Sequence, residues 1–511
     1  MINDLLQSKL KGSRHIEWVA YISILAGSLF YCYETILRVA PSAVNGELMA
    51  YFKLANDKTS YDLLNSYYYF IYAPMQLVVG LLVDRYGPKR WLMLACLLCG
   101  LGTYLYVADP SMLWVSCLGR FLVGFGSSFA FIGVLKLASI WLPVNRFALV
   151  AGCCVTLGQL GAFGVDHYLP GIVEFFGSAS SSSPDGVFPA FSVLAVLGVA
   201  VFFIVTVFIR DESSDKQCRK NLSNNLAQLG RGLNRLIHKK DLWLICVIGL
   251  LMWMPLVLFA ENLGKDFIYK MYGLKHVAKD IVGSFFLGWA VGAPLVNYYS
   301  NVITSRKKPM LIGSIAALIV FFVIWYGIPN MIQFEGFINA FWPVIIAALL
   351  TAVLSWLKIK SNWAKITMVA LCAVAVIWSI AQPGSLLLNQ EDCLSSVLFV
   401  LVFGFGFVSS VQVIVFAAAK ELSCPNTSGT ATSITNMVTM FSGFIPMFCN
   451  YIAAWSPNYV SNMEFGNQHI SVMQYYLFPV IIAIAISILC SFFMKETYVE
   501  AGFANDEDDD S

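Results

Sequence analysis

Glu34 and Arg38 sit four residues apart in an otherwise apolar stretch. On a helix that spacing puts them on one face, where they can pair. Away from water a carboxylate resists ionisation and an adjacent guanidinium favours it, so such a pair can take up or release a proton as its surroundings change. The alternative is that Arg38 reaches toward a polar interface while Glu34 is a satisfied structural acid. Tyr68, Tyr72 and Gln76 share a second face at i, i+4 spacing, which suits ligand contact or plain helix packing. Arg120 interrupts a third apolar run, and Gln159, Gln412 and Asn436 place uncharged amides in three more. Each amide either binds a ligand or hydrogen-bonds a neighbouring helix. Glu34, Arg38, Tyr72, Gln76, Arg120, Gln159, Gln412 and Asn436 are therefore the candidate path for a small-molecule substrate and for protons. Asp166 and His167 are expected near the outer mouth, with His167 a further candidate for a proton relay. Glu261 and Asn262 close another run, as gate or interface residues. Lys136 reads as an anchor.

Composition sets the elements that must carry these residues. The chain has 511 residues, 58% hydrophobic and 12% charged, and its mean hydropathy is +0.72. A soluble domain carries about 25% charged residues. Only a bilayer is a stable solvent for so apolar a surface, and a spanning helix needs about 20 apolar residues. Spans are expected at 17–39, 61–83, 91–108, 112–138, 146–170, 188–209, 242–263, 280–300, 309–328, 342–357, 365–381, 394–419, 428–454 and 472–494. The expected fold is an all-α polytopic membrane protein of about 14 transmembrane helices. Two six-helix bundles, 1–210 and 242–496, are joined by a cytoplasmic linker at 211–241. A two-helix hairpin is inserted at about 342–381, and 497–511 forms an acidic disordered tail.

Positive charge orients this plan. With the N-terminus in the cytoplasm, most of the 32 Lys and Arg fall inside, as do Lys358 and Lys360 at the hairpin tip. Lys265, Lys270, Lys275 and Lys279 fall outside and fit least well. Leu222, Leu226, Leu229, Leu233 and Leu236 in the linker read as a surface-lying amphipathic helix or as a solvated connector. The net charge of +2 suggests no nucleic-acid partner. The 13 cysteines lie mostly in apolar runs. Cys96 and Cys99 lack a second ligand pair and read as small packing residues. There is no G-x-S-x-G elbow, H-E-x-x-H or P-loop. An enzyme is not expected, nor a cofactor or metal, and energy must come from a gradient. The first apolar run is too long for a signal-peptide core.

Gly80-Leu-Leu-Val-Asp84-Arg85-Tyr-Gly87-Pro-Lys89-Arg90 joins the second and third spans. It resembles motif A of the major facilitator superfamily. Arg120-x-x-x-Gly124-x-Gly126 resembles that family's motif B, whose arginine is buried and linked to proton transfer. Gly288-x-x-x-Gly292-Ala-Pro294 through Ser300-Asn301 and Arg306-Lys307-Lys308 resembles a decayed second motif A. Asn301 stands there in place of the acid, so the second-half gate is expected to lack a charged latch. Tyr33-Glu34-x-x-x-Arg38-Val-Ala-Pro41-Ser42 and Tyr69-x-x-Tyr72-Ala-Pro-Met-Gln76 resemble proteobacterial phagosomal amino-acid permeases and, more distantly, lysosomal dipeptide carriers. Gly133-x-x-Lys136-Leu-Ala-x-x-Trp141 and Gly429-Thr-Ala-Thr-x-x-x-Asn436-Met do the same. The resemblance implies a monomeric inner-membrane secondary transporter with cytoplasmic termini. It implies proton-coupled uptake of an amino acid or short peptide by alternating access between two rocking bundles. Asp84 and the Arg85–Arg90 cluster would latch the outward-open state. Organic-anion uptake, or export of a metabolite or siderophore, are the alternatives.

Overall fold

The computed structural model describes residues 2–54, 57–142, 144–178, 183–210, 238–327, 390–423, 428–446, 464–465, 468–469 and 472–498. The expected hairpin, nearly all of the linker and the tail beyond Tyr498 lie outside these residues.

Apolar runs become helices because lipid offers the backbone no hydrogen-bond partner, so each segment must satisfy its own N–H and C=O groups. The first half comprises α1 (Ile2–Ala43), the short α2 (Asn45–Tyr51), α3 (Lys58–Tyr86), α4 (Pro88–Ala108), α5 (Leu113–Trp141), α6 (Val144–Ser178) and α7 (Val187–Phe208). The second half begins with α8 (Lys240–Met254), a π-helical stretch at Pro255–Leu263 and α9 (Gly264–Tyr272), which together make one span. It continues with α10 (Ala278–Val302), α11 (Lys307–Phe322), α12 (Gln390–Ser409), a tight 3-10 turn at Ser410–Val413 and α13 (Ile414–Glu421). It closes with α14 (Ser428–Met440) and α15 (Val472–Phe493). Among the described residues, nine helices are long and apolar enough to cross a membrane.

Successive helices reverse direction, so the molecule has two ends. One end, here the linker end, gathers the turns after α3, α5, α7, α10 and α13. There Ser23 donates to the Phe208 carbonyl at 3.0 Å, and Lys239 to that of Leu422 at 2.9 Å. The far end gathers α2 and the turns after α4, α6 and α9; Tyr51 donates there to the Val107 carbonyl at 2.7 Å. Within the first half, α5 packs on α3 and α4, and α1 on α6. Within the second, α10 packs on α12 and α8 on α14. The halves meet where α6 lies along α10 and α3 along α14.

Two glycines fix this geometry. Gly87 adopts φ 80°, a left-handed conformation that costs glycine little. It ends α3 through its N–H to the Val83 carbonyl at 3.1 Å, and Pro88 then opens α4 with its ring already at helical φ. Gly124 lets α5 touch α3 backbone to side. A Cβ there would overlap the Tyr68 carbonyl and lie 2.8 Å from Ile71 Cγ2.

This contact predicts that Gly124→Val pushes α5 off α3. Overpacking of this kind costs about 1–3 kcal/mol, so the unfolding temperature in detergent is expected to drop by several degrees. An unchanged temperature would show that the helices are not so close.

Candidate functional site

A buried charge network runs through four helical elements near the far-end side of the midsection. α1 supplies Glu34 and Arg38, which are 2% and 8% exposed. The spacing put them on one face, and Arg38 Nε lies 3.8 Å from Glu34 Oε1. The shorter partner of Arg38 comes from the other half. Its Nη1 is 2.5 Å from Glu261 Oε1, in the π-helical stretch after Pro255. A π turn is wider than an α turn and recurs at functional sites. Pro255, which has no N–H to give the ladder, opens it here. Glu34 also accepts from the Tyr68 hydroxyl at 2.6 Å and from Thr35 at 3.3 Å.

Arg120 is 4% exposed and extends the same network from α5. It donates to the Leu37 carbonyl at 3.2 Å and lies over the rings of Tyr68 and Tyr106, at 5.1 and 5.4 Å from their centroids. A guanidinium at bilayer depth costs about 2.5–3.5 kcal/mol on insertion scales, and carbonyl and ring contacts offset part of that. With both acids ionised, two guanidinium groups balance two carboxylates.

Beside this network is a small cavity between the halves. Tyr31, Tyr72, Phe131 and Val155 line it from the first half, and Trp253, Gln412, Phe416, Asn436 and Met440 from the second. It holds about 20 Å3, room for about one water. Tyr72 stacks on Tyr68 at 5.3 Å, and Arg38 lies 5.7 Å from the Trp253 ring centroid. The cavity thus adjoins the charged residues through two aromatic rings. Gln76 does not line it; its amide donates to the Ser128 carbonyl at 3.3 Å and ties α3 to α5. Gln159 is fully buried one helical turn from Val155, and among the described residues neither amide atom finds a partner.

At the far end, α6 is clasped to the second half. Asp166 pairs with Lys265, His167 Nδ1 lies 3.1 Å from Asp280, and Lys279 donates to the His167 carbonyl. The lysines that fitted least well with a positive inner side are thereby accounted for in part: Lys265 and Lys279 are held by groups of α6. Three ion pairs, Arg38–Glu261, Asp166–Lys265 and His167–Asp280, tie the halves together on the far-end side.

The linker end corrects one expectation. The second half does carry a charged latch, between its own helix ends, although Asn301 replaces the acid. Arg306 is 4% exposed; its Nη2 meets Glu421 at 2.6 Å and its Nη1 meets Asn301 Oδ1 at 2.8 Å. The backbone N–H of Arg306 donates to Glu496 at 2.7 Å, and the Tyr498 ring covers the guanidinium at 4.9 Å. The acids come from the ends of α13 and α15, more than a hundred residues along the chain. Spacing within the motif could not reveal them. In the first half, Gly80 and Gly87 are buried, Lys89 is half-buried and Arg90 is exposed. The side chains of Asp84 and Arg85 lie outside the described residues.

A lipid-soluble pair of helical bundles, tied together at one end around a buried charge network and an interior cavity, is the architecture of a membrane transporter. The chain belongs to the Major Facilitator Superfamily, which its residues 22–357 match. The fold is similar to the E. coli fucose:proton symporter, with TM-score 0.55 at 10% identity, over 93% of this chain and 100% of that one. It is equally similar to a second structure of that symporter, FucP, in the outward conformation, at TM-score 0.55, 12% identity and the same coverage. A probable sulfoacetate transporter of Cupriavidus necator is 29% identical over 148 residues, 29% of this chain and 32% of that relative. The match thus spans about a third of that relative's length.

Two outcomes follow from the ion pairs. Glu261→Gln leaves Arg38 buried with Glu34, 3.8 Å away, as its remaining carboxylate partner. Breaking a buried pair from one side costs about 3–5 kcal/mol, so the unfolding temperature should fall well below that of Glu34→Gln. At the other end, burial pushes the Glu496 carboxyl up, but the Arg306 N–H, the Ser305 hydroxyl and the N–H groups of Tyr498 and Thr497 outweigh it and hold it below its ordinary value. A lowered carboxyl contributes stability that is complete above its unfolded value and is lost as pH falls through the folded one. A melting titration from neutral to acid pH should show this loss in the parent protein and a flatter acid limb in Glu496→Gln. Parallel curves would contradict the latch.

Proposed function

We propose that this secondary transporter imports a small zwitterion, an amino acid or short peptide, together with protons. The cross-half Arg38–Glu261 pair carries this reading. A zwitterion offers the same two charges as the pair itself. Its carboxylate can take Arg38, and its ammonium can take Glu261 or Glu34. Binding would then replace the bond that holds the halves together at the far end, so loading and opening become one event. Only a ligand with differential contacts in the two states can shift the equilibrium between them, and this one exchanges a contact that exists in one state alone.

Proton coupling uses the same residues. When the ligand's carboxylate draws Arg38 away and its ammonium sits on Glu261, Glu34 is left as a buried carboxylate without its counter-ion. Taking up a proton removes that uncompensated charge. Tyr68, hydrogen-bonded to Glu34 and stacked on Tyr72, links the proton site to the cavity. In this reading the linker end is cytoplasmic, in agreement with the excess of Lys and Arg there. The termini lie on the same side, the protein works as a monomer in the inner membrane, and the bundles meet at the 211–241 linker. The clasped far end makes the conformation closed to the outside. Gly80, Asp84, Arg85, Gly87, Lys89 and Arg90 serve as the latch of the opposite state.

A second reading, uptake of an organic anion, is favoured by the partial match to the sulfoacetate transporter. Arg38 and Arg120 would then be the anion's partners, with protons neutralising the acids.

Purified protein in liposomes separates these readings. With an inward proton gradient, labelled amino acids or dipeptides should accumulate, and organic anions should not compete. Glu34→Gln is expected to abolish gradient-driven accumulation while sparing exchange of substrate for substrate. Undiminished accumulation by that variant would refute the coupling role.

A further inference from the structure

Three residues of the second-half wall carry polar atoms with nothing to bond. Trp253 on α8, Gln412 in the 3-10 turn between α12 and α13, and Asn436 on α14 are 5%, 0% and 2% exposed, and all three line the cavity. Among the described residues no partner meets Trp253 Nε1, Gln412 Nε2, Gln412 Oε1 or Asn436 Nδ2. A buried donor or acceptor left unpaired carries the cost of lost hydration with nothing to offset it. Apolar side chains would fill the same positions without that cost. A wall that keeps them favours ligands able to satisfy them and rejects those that cannot.

We propose that Gln412, flanked by Trp253 and Asn436, is a neutral subsite for an amide group of the substrate. This rests on the zwitterion reading and deepens it: the charged end of the ligand goes to Arg38 and the acids, and an uncharged end goes here. The composition of the wall selects the group. Gln412 offers an N–H donor and a carbonyl acceptor on one planar group, so it can meet the C=O and the syn N–H of a carboxamide with two hydrogen bonds; a trans peptide bond, whose C=O and N–H point opposite ways, gives it one and turns the other group to its neighbours. The indole N–H of Trp253 and the Asn436 amide N–H add donors for the same carbonyl. A carboxylate matches less well. It has no donor for Gln412 Oε1, and among the described residues no cation lines this wall, so its charge would meet neutral donors only. An aliphatic side chain would leave all four atoms unpaired. Trp253 stands between the two ends, with Arg38 over its ring. The substrate is therefore a zwitterion that also carries an amide, as a peptide bond or as a side-chain carboxamide.

The test is ligand-induced thermal stabilisation of the full-length protein in detergent. The ligands are alanyl-alanine (a peptide bond), glutamine (a carboxamide), methionine (a zwitterion without an amide) and sulfoacetate (a two-ended anion). Alanyl-alanine, glutamine or both should bind about tenfold or more tightly than methionine, and which of the two does so identifies the source of the amide. Gln412→Met keeps the volume and removes the amide. It should weaken the amide ligands about tenfold or more and leave methionine within about twofold. If its unliganded unfolding temperature falls, Asn436→Leu replaces it, with the same pattern expected. Equal binding of all zwitterions, or equal weakening of all of them by Gln412→Met, would overturn the subsite and leave the zwitterion reading standing. Stabilisation by sulfoacetate alone would overturn both.

Discussion

The structure depends on keeping charge neutral where water is scarce. A guanidinium at bilayer depth must find carboxylates, carbonyls or ring faces, and the chain can supply these only by bringing distant segments together. Arg38 finds Glu261 from the other half of the molecule, 223 residues away. That single bond turns the requirement for neutrality into a requirement that the two halves touch. Arg120 meets the same requirement inside the first half, with a carbonyl and two tyrosine rings. It therefore stabilises one bundle and makes no demand on the other. The difference between the two arginines separates what holds one bundle together from what joins the two.

The two ends use charge in different ways for the same reason. At the far end, Asp166–Lys265 and His167–Asp280 cross between α6 and the second half, so any separation of the halves at that end would have to break them. At the linker end, Arg306 gathers Glu421, Glu496 and Asn301 from within the second half. Those contacts survive a rigid rotation of that half and can brace its helix ends throughout a cycle. Between the ends, the cavity wall is aromatic on both sides and amide-bearing on the second.

Much of the fold was legible in the sequence because the bilayer leaves few choices. Apolar runs of sufficient length must be helices, and among the described residues most helix bounds differ from the expected spans by a few residues; the larger differences are at the start of α1, which begins at Ile2 rather than near residue 17, and at the far ends of α6 and α9. The i, i+4 spacing of Glu34 and Arg38 was also readable, since a helix fixes that face locally. Tertiary partners were not. Glu261 was visible only as an acid closing an apolar run. Nothing in its spacing pointed to Arg38, and the π turn that presents it leaves only Pro255 as a trace. The second-half latch was missed because motif reasoning searches for the acid at a fixed local position, while Glu421 and Glu496 arrive from other helix ends. Gln76 shares a face with Tyr72, yet it bonds the Ser128 carbonyl; a shared face does not decide which neighbour a side chain meets.

The central claim is that the Arg38–Glu261 bond holds the far end shut. Distance measurement between spectroscopic labels at the exposed far-end positions Ala50 and Lys270 tests it most directly. In the unliganded parent protein a short separation should dominate. In an Arg38→Gln, Glu261→Gln double variant, which removes both charges together and strands neither, a longer separation should become prominent without loss of fold. An unchanged distance distribution in a folded double variant would contradict the account.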